Sequence, residues 1–144
     1  MNSSGTRIAI GAPLNDSNKG HVRVYELTGS SWTKVGGDID GEAVDDESGF
    51  SVAMSSDGTR IAISASDNDG VNGTNSGHVR VYDYDTTNGW TQVGGDIDGE
   101  AANDYSGYSV AMNSDGSRIA IGAIYNDGYG SNSGHVRVYR LKSS

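Results

Sequence analysis

The sequence predicts an all-β chain made of tandem four-stranded antiparallel sheets, and three observations carry that expectation. Motifs recur along the chain: GHVRVY at 20–25, 77–82 and 134–139, RIAI at 7–10, 60–63 and 118–121, and VGGDIDGEA at 35–43 and 93–101. Their steps are 57 or 58 residues, except for 53 between the first two RIAI copies, which marks an internal repeat with one length-variable loop. Within each copy the apolar residues alternate with period two, and no window holds a helical period. Glycine fills 22 of 144 positions with a single proline, and many of the glycines fall at the joints between alternating runs. The periodic pattern in every copy argues against the disorder that a low apolar share and high net charge could otherwise suggest.

Each copy then divides into four strands in order. SGFSVAM (48–54) and SGYSVAM (106–112) form the first, with Phe50, Val52 and Met54 on one face and Ser51 and Ala53 on the other. A Ser-Asp-Gly turn at 56–58 and 114–116 leads into the second, where Ile61 and Ile63 face one way and small residues the other. The loop that follows absorbs the length difference, GAPLNDSNK in one copy against SASDNDGVNGTNS in the next. GHVRVYDY supplies the third strand, its Val79 and Val81 opposed to His78, Arg80 and Tyr82. GWTQVGGDI is the fourth, entered through Thr-Asn-Gly and left through Asp-Gly. Tandem four-stranded units with small residues on a face that must lie against a neighbour point to β-propeller blades.

The phase of the repeat follows from its ends. MNSSGTRIAI (1–10) aligns with MSSDGTRIAI (54–63), and RVYRLKSS (137–144) with RVYELTGS (23–30). Residues 1–47 are therefore expected to hold strands two to four and a connecting loop, 48–105 a complete blade and its loop, and 106–144 strands one to three. That makes ten strands, about two and a half blades, in an open arc rather than a closed ring. The uncovered faces of such an arc call for neighbours: flanking repeats of a longer chain, which the start at a repeat-internal methionine favours, or copies associating head to tail into a ring or filament.

The runs GFSVAMSSDGTRIAISAS and GYSVAMNSDGSRIAIGAI, with GAP at 11–13 followed by GHVRVY, resemble the FG-GAP repeats of integrin-type β-propellers. The resemblance covers nearly the whole chain and implies a propeller with extracellular, adhesive work. The chain departs from the pattern at Ser48 and Ser106, which replace the Phe of the Phe-Gly pair, and at 64–66 and 122–124, where GAP becomes SAS and GAI. Calcium-binding members carry alternating Asp or Asn ligands in the first turn. Here only Asp57 or Asp115 stands there, with serine, methionine or Asn113 around it, so that calcium site is not carried over.

Composition excludes several classes. Ten basic against 19 acidic residues give a net charge of −9, which disfavours nucleic acid and anionic membranes as partners. No apolar run is long enough for membrane insertion, and with no cysteine there is neither disulfide nor thiolate chemistry. His21, His78 and His135 recur in one slot on different blades, as do Arg7, Arg60 and Arg118, and Arg23, Arg80 and Arg137. Such repetition reads as structural pairing, with Asp57 and Asp115 as expected partners of the arginines.

The remaining candidates are few. Clustered acids suit calcium, which takes six to eight oxygens, but the loops 38–47 and 96–105 lack calcium-loop spacing and read mainly as solvating surface. Asp67 and Asp69 form the best local pair. Asn2, Asn15 and Asn72 head glycosylation sequons. Trp32 and Trp90 share one phase, which favours blade packing over sugar stacking, whereas Tyr125 and Tyr129 do not repeat and are the first choice for a ligand contact. With no catalytic constellation and no cofactor motif, the chain is expected to be a non-enzymatic extracellular scaffold for adhesion or self-assembly. The alternative is a module that binds a carbohydrate or extracellular protein through its loop face.

Overall fold

The computed structural model describes residues 1–141. Its strands fall into three antiparallel sheets stacked in chain order, with no closed barrel. The first sheet holds β1 (Arg7–Ala12), β2 (His21–Thr28), β3 (Ser31–Lys34) and β4 (Ile39–Asp40). The second holds β5 (Val52–Met54), β6 (Arg60–Ala65), β7 (His78–Asp85), β8 (Gly89–Gln92) and β9 (Ile97–Asp98). The third holds β10 (Ser106–Met112), β11 (Arg118–Ala123) and β12 (His135–Arg140).

These are partial blades of an open propeller, as expected, but the described residues hold twelve strands rather than ten. Each expected fourth strand is split in two. β8 pairs with the far end of β7, Tyr82 opposite Gln92, while β9 pairs with its near end, His78 opposite Asp98; β3 and β4 divide β2 in the same way. The break falls at the Gly-Gly step, where Gly36 and Gly94 have φ of 75° and 74°. Left-handed backbone there bends the strand away from its partner, and pairing resumes with the register shifted by two residues, which the alternating pattern alone does not reveal.

Turn chemistry fixes the hairpins. Asp57 accepts from the backbone N of Thr59 (3.0 Å) and the hydroxyl of Ser55 (2.7 Å), closing the turn at Gly58. Asp115 does the same with the N of Ser117 (2.8 Å) and the amide of Asn113 (2.8 Å). Both carboxyls are held below their ordinary range, Asp57 chiefly by the Thr59 backbone and Asp115 chiefly by the Ser117 hydroxyl. The shorter first loop closes as one tight turn at Asn15–Asn18, with Asp16, Ser17 and Asn18 all left-handed.

The alternation seen in the sequence separates two cores. Ile61 and Ile63 of the second blade pack in one cluster with Val22 and Val24 of the first. Ala62, on the opposite face of the same strand, joins Val79 and Val81 in a cluster with Ile119 and Ile121 of the third blade. One rule therefore builds both interfaces: the isoleucine face of each blade covers the valine face of the blade before it. The uncovered ends show what the rule is worth. Val22, Val24 and Val79 are 0% exposed and Val81 2%, whereas their third-blade counterparts Val136 and Val138 are 68% and 67% exposed.

Backbone bonds stitch the same seams. The Ser56 N–H donates to the Ser114 carbonyl (2.8 Å), and the Ser3 N–H to the Ser56 carbonyl (2.9 Å), linking successive turns. At the other end of the blades the Ser48 N–H donates to Lys19 (3.1 Å) and the Ser106 N–H to Ser76 (3.0 Å). The backbones approach so closely there that a methyl group on Gly77 would collide with the Ser106 carbonyl. Gly77 is thus a packing glycine as well as a turn residue.

The identical register of Val81 and Val138 supports a direct comparison. Val81→Ala should cost about 2 kcal/mol and Val138→Ala under about 0.5 kcal/mol in urea unfolding of the dilute chain. Equal losses would mean that the third valine face is covered.

Candidate functional site

The side chains repeated with the blade converge where the connecting loop of one blade meets the loop and third strand of the next. Arg80, on β7, donates from Nε and Nη2 to the two oxygens of Asp96 (2.8 and 2.9 Å) and pairs with Glu42 of the preceding linker. Arg137 pairs in the same way with Glu100, the matching linker residue. Arg23 has the in-blade partner, Asp38, which also holds Lys34. The two cations keep the Asp38 carboxyl well below the usual range, Arg23 contributing most.

The arginines of the second strand use other partners than the sequence suggested. Arg7 pairs with Glu26 (2.9 Å) and Arg60 with Asp83 (2.6 Å), both on the adjacent third strand. Each then donates across the seam to the turn carbonyl of the next blade, Gly58 and Gly116 respectively (both 3.0 Å). Asp57 and Asp115 are occupied within their own turns, two residues from the backbone N–H they accept, and so are not the expected pairing partners.

A second tie is buried. Asn68 donates its amide to Asp46 (2.9 Å) and Asn126 to Asp104 (2.7 Å), at the same separation of 22 residues in both copies. Both carboxylates also accept a linker N–H, from Ala43 and Ala101. The linker acids and the Asn-Asp pairs, which lie far apart in sequence, are therefore two halves of one contact. Sequence reasoning placed both loops but did not join them; the repeated spacing of 22 was the available signal.

The histidines sit beside these ties. His78 is buried, with Nδ1 3.8 Å from Asp96. His135 lies 3.6 Å from Glu100, and His21 faces the side-chain oxygen of Asn15 at 3.0 Å. Glu42, His78 and Asp96 come within 4.8 Å of one another, as do His21, Asp38 and Asp40. In the first group the Arg80 guanidinium already binds both carboxylates, and in the second Asp38 is shared by Arg23 and Lys34, so these carboxylates are already neutralised by cationic side chains.

The other sequence candidates scatter. Asp67 accepts from the Ser66 hydroxyl (2.9 Å) and Asp69 from the Asn75 backbone (2.9 Å), and neither belongs to a three-ligand group of His, Asp or Glu among the described residues. Trp90 donates to the Val35 carbonyl (2.9 Å), lies 5.1 Å from the Tyr84 ring and covers Gly36, so it spans the seam between the first two blades. Trp32, at the same phase of the first blade, is exposed. Tyr125 meets the edge of Tyr105 at 5.5 Å, and Tyr129 stands free in solvent. Of the sequon asparagines, Asn2 is buried, with its amide on Thr6 (3.2 Å), Asn72 donates to the Gly99 carbonyl (2.6 Å), and Asn15 is exposed.

These environments set a pH dependence. Burial, reinforced by Arg80, lowers the His78 pKa below 6.5 against the opposing pull of Asp96, Glu42 and Asp46. The unfolded chain then binds the proton more readily, so stability declines as pH falls below 6.5. Asp96, held low chiefly by Arg80, adds a second loss below 3.8, while the half-buried Glu47, pushed above 4.5 chiefly by desolvation, acts in the opposite sense. The histidine limb is therefore read as a difference. The urea midpoint of the natural chain should fall between pH 7 and about 5 more than that of His78→Gln, and superimposable profiles would remove the histidine from the account.

Residues 97–139 match the family model of the FG-GAP repeat. No curated protein matches the chain. The matched stretch runs from β9 through the linker acids and the three strands of the third blade, and residues 39–82 repeat its motifs in the same order. Residues 97–139 are thus an FG-GAP-type repeat within a propeller-type array.

Proposed function

We propose that the chain is a non-enzymatic scaffold that works outside the cell by stacking blades head to tail, with further copies of itself as the partner. The observation that supports this is the uncovered valine face of β12. Val136 and Val138 stand where two earlier blades bury their valines, and the complementary surface exists in the same chain: β1 carries Ile8 and Ile10 in the place of Ile61 and Ile63. Ile10 is itself exposed. A contact between β12 of one copy and β1 of the next is heterologous, and it extends into a ring or filament according to the rotation per step. FG-GAP repeats typically occur in extracellular proteins, and no helix among the described residues is long and apolar enough to cross a membrane.

Sedimentation across a concentration series tests the stacking. The natural chain should grow to species several times its 15.0 kDa mass, and Val136→Asp with Val138→Asp should return it to a monomer without unfolding. A natural chain that stays monomeric at high concentration overturns the proposal.

A loop-face binding role has its own support. The second-to-third-strand loop of each blade carries an apolar side chain in solvent: Leu14, Val71 and Tyr129, the last joined by Tyr125. If this face binds a carbohydrate or an extracellular protein, Tyr129→Ala should weaken capture on a glycan or ectodomain array by about tenfold while leaving the sedimentation profile unchanged. An array silent for the natural chain removes this role.

A further inference from the structure

Beside the seam ties, the second blade contains an oxygen-lined space that the blade stacking does not use. An open cavity of about 410 Å³ is lined by Glu42, Asn68, Asp69, Gly70, Val71, His78, Asp96 and Asp98. Beside it, three side-chain oxygens border the space in front of Gly70: a methyl group built on that residue would meet Asn68 Oδ1 at 3.1 Å, Ser76 Oγ at 3.2 Å and Asp98 Oδ1 at 3.4 Å. Ser76 is fully buried, and its hydroxyl has no hydrogen-bond partner among the described residues. Asn68 commits its amide nitrogen to Asp46, which leaves its oxygen turned toward Gly70. A buried hydroxyl left without a partner is destabilising unless something fills its valence.

The third blade supplies an internal control. There the same Asn-Asp-Gly loop closes on itself: the Gly128 N–H donates to Asn126 Oδ1 (2.9 Å), and the Ser133 hydroxyl donates to the Asn126 carbonyl (3.2 Å). The described residues of that blade include no fourth strand to bring a counterpart of Asp98. The first blade has only the short loop. The open oxygen cradle thus belongs to the second blade, where loop and fourth strand are both in place.

We infer that Asn68, Ser76 and Asp98 form a binding site for a hard divalent cation, calcium, in front of Gly70. The donor set is all oxygen, as calcium requires, and waters from the open cavity complete its six to eight ligands. Calcium rather than magnesium fits a site of irregular geometry on a loop, because magnesium demands a near-ideal octahedron. Asp69, Asp96 and Glu42 on the cavity wall add negative potential, although Arg80 offsets the last two. The site differs from the Asp67 and Asp69 pair that the sequence singled out: its carboxylate comes from β9, across the blade, and its hydroxyl from the far end of the loop. The glycine is part of the design, since any side chain there fills the space.

The full chain, stripped with chelator and then dialysed against calcium chloride, tests the inference. It should take up one calcium per chain with a rise in melting temperature, and Asp98→Asn and Ser76→Ala should each weaken uptake by about tenfold or more. Gly70→Ala should block it while the chain still melts cooperatively, and Asp45→Asn, an exposed acid outside the cavity, should leave it unchanged. Uptake should also survive Val136→Asp with Val138→Asp, which separates this site from the stacking. No stoichiometric uptake at about 10 mM calcium, or uptake indifferent to Asp98→Asn and Gly70→Ala, overturns the inference.

Discussion

A blade in this chain is apolar on both faces, and the rest of the structure depends on that constraint. A sheet with one wet face can end a domain, but a sheet with valines on one side and isoleucines on the other needs a neighbour on each. Ile61 and Ile63 cover Val22 and Val24, and Ile119 and Ile121 cover Val79 and Val81. Because the same β-branched residues occupy the same register in every copy, any two successive blades form the same interface. Stability is then a property of pairs of blades rather than of single ones, as in other repeat arrays.

The polar network follows from this stacking. Once two faces lie together, the connecting loop must pass from one blade to the next, and its acids are carried to the following blade's Arg-His strand. Glu42 reaches Arg80 and Glu100 reaches Arg137, while Asp46 and Asp104 bury an amide contact just beneath. The backbone is held in place at the same crossing. Glu47 and Tyr105 are both left-handed, as are Asn18 and Asn75, and the N–H of each linker residue donates to the paired asparagine carbonyl (2.8 and 3.1 Å). Left-handed non-glycine backbone is costly and persists only where surrounding bonds over-determine it.

The fold was legible in the sequence because its signals are periodic and local. Alternation sorted Ile61 and Ile63 from Ala62 onto the two faces they occupy, and Asp57-Gly58 marked a turn that the Asp57 carboxylate does close. The split fourth strand was not legible, because Gly36 and Gly94 read equally as strand glycines or as a bend until the left-handed backbone is seen. Site chemistry was harder for a related reason. Partners such as Asp46 with Asn68, or Arg60 with Asp83 rather than Asp57, are chosen by which loops the stacking brings together, and composition does not encode that. Trp90 illustrates both halves: its phase in the repeat pointed to packing, but its bond to the Val35 carbonyl depends on the neighbouring blade.

The third blade shows how a repeat can be the same in pattern and different in consequence. In the first two blades the second-strand arginine is neutralised by an acid on the third strand, Glu26 or Asp83, and spends its remaining donor on the turn carbonyl of the next blade. In the third blade the residue opposite Arg118 is Arg140, so two cations stand side by side at the edge of the valine face. Neighbouring like charges disfavour leaving that edge bare and favour a cover that brings oxygen to it. In a head-to-tail stack the cover is the first turn of the next copy, where Gly5 holds the position of Gly58 and Gly116 and presents the same carbonyl. The apolar mismatch at Val136 and Val138 and the charge mismatch at Arg118 and Arg140 thus lie on one face, and one partner surface relieves both.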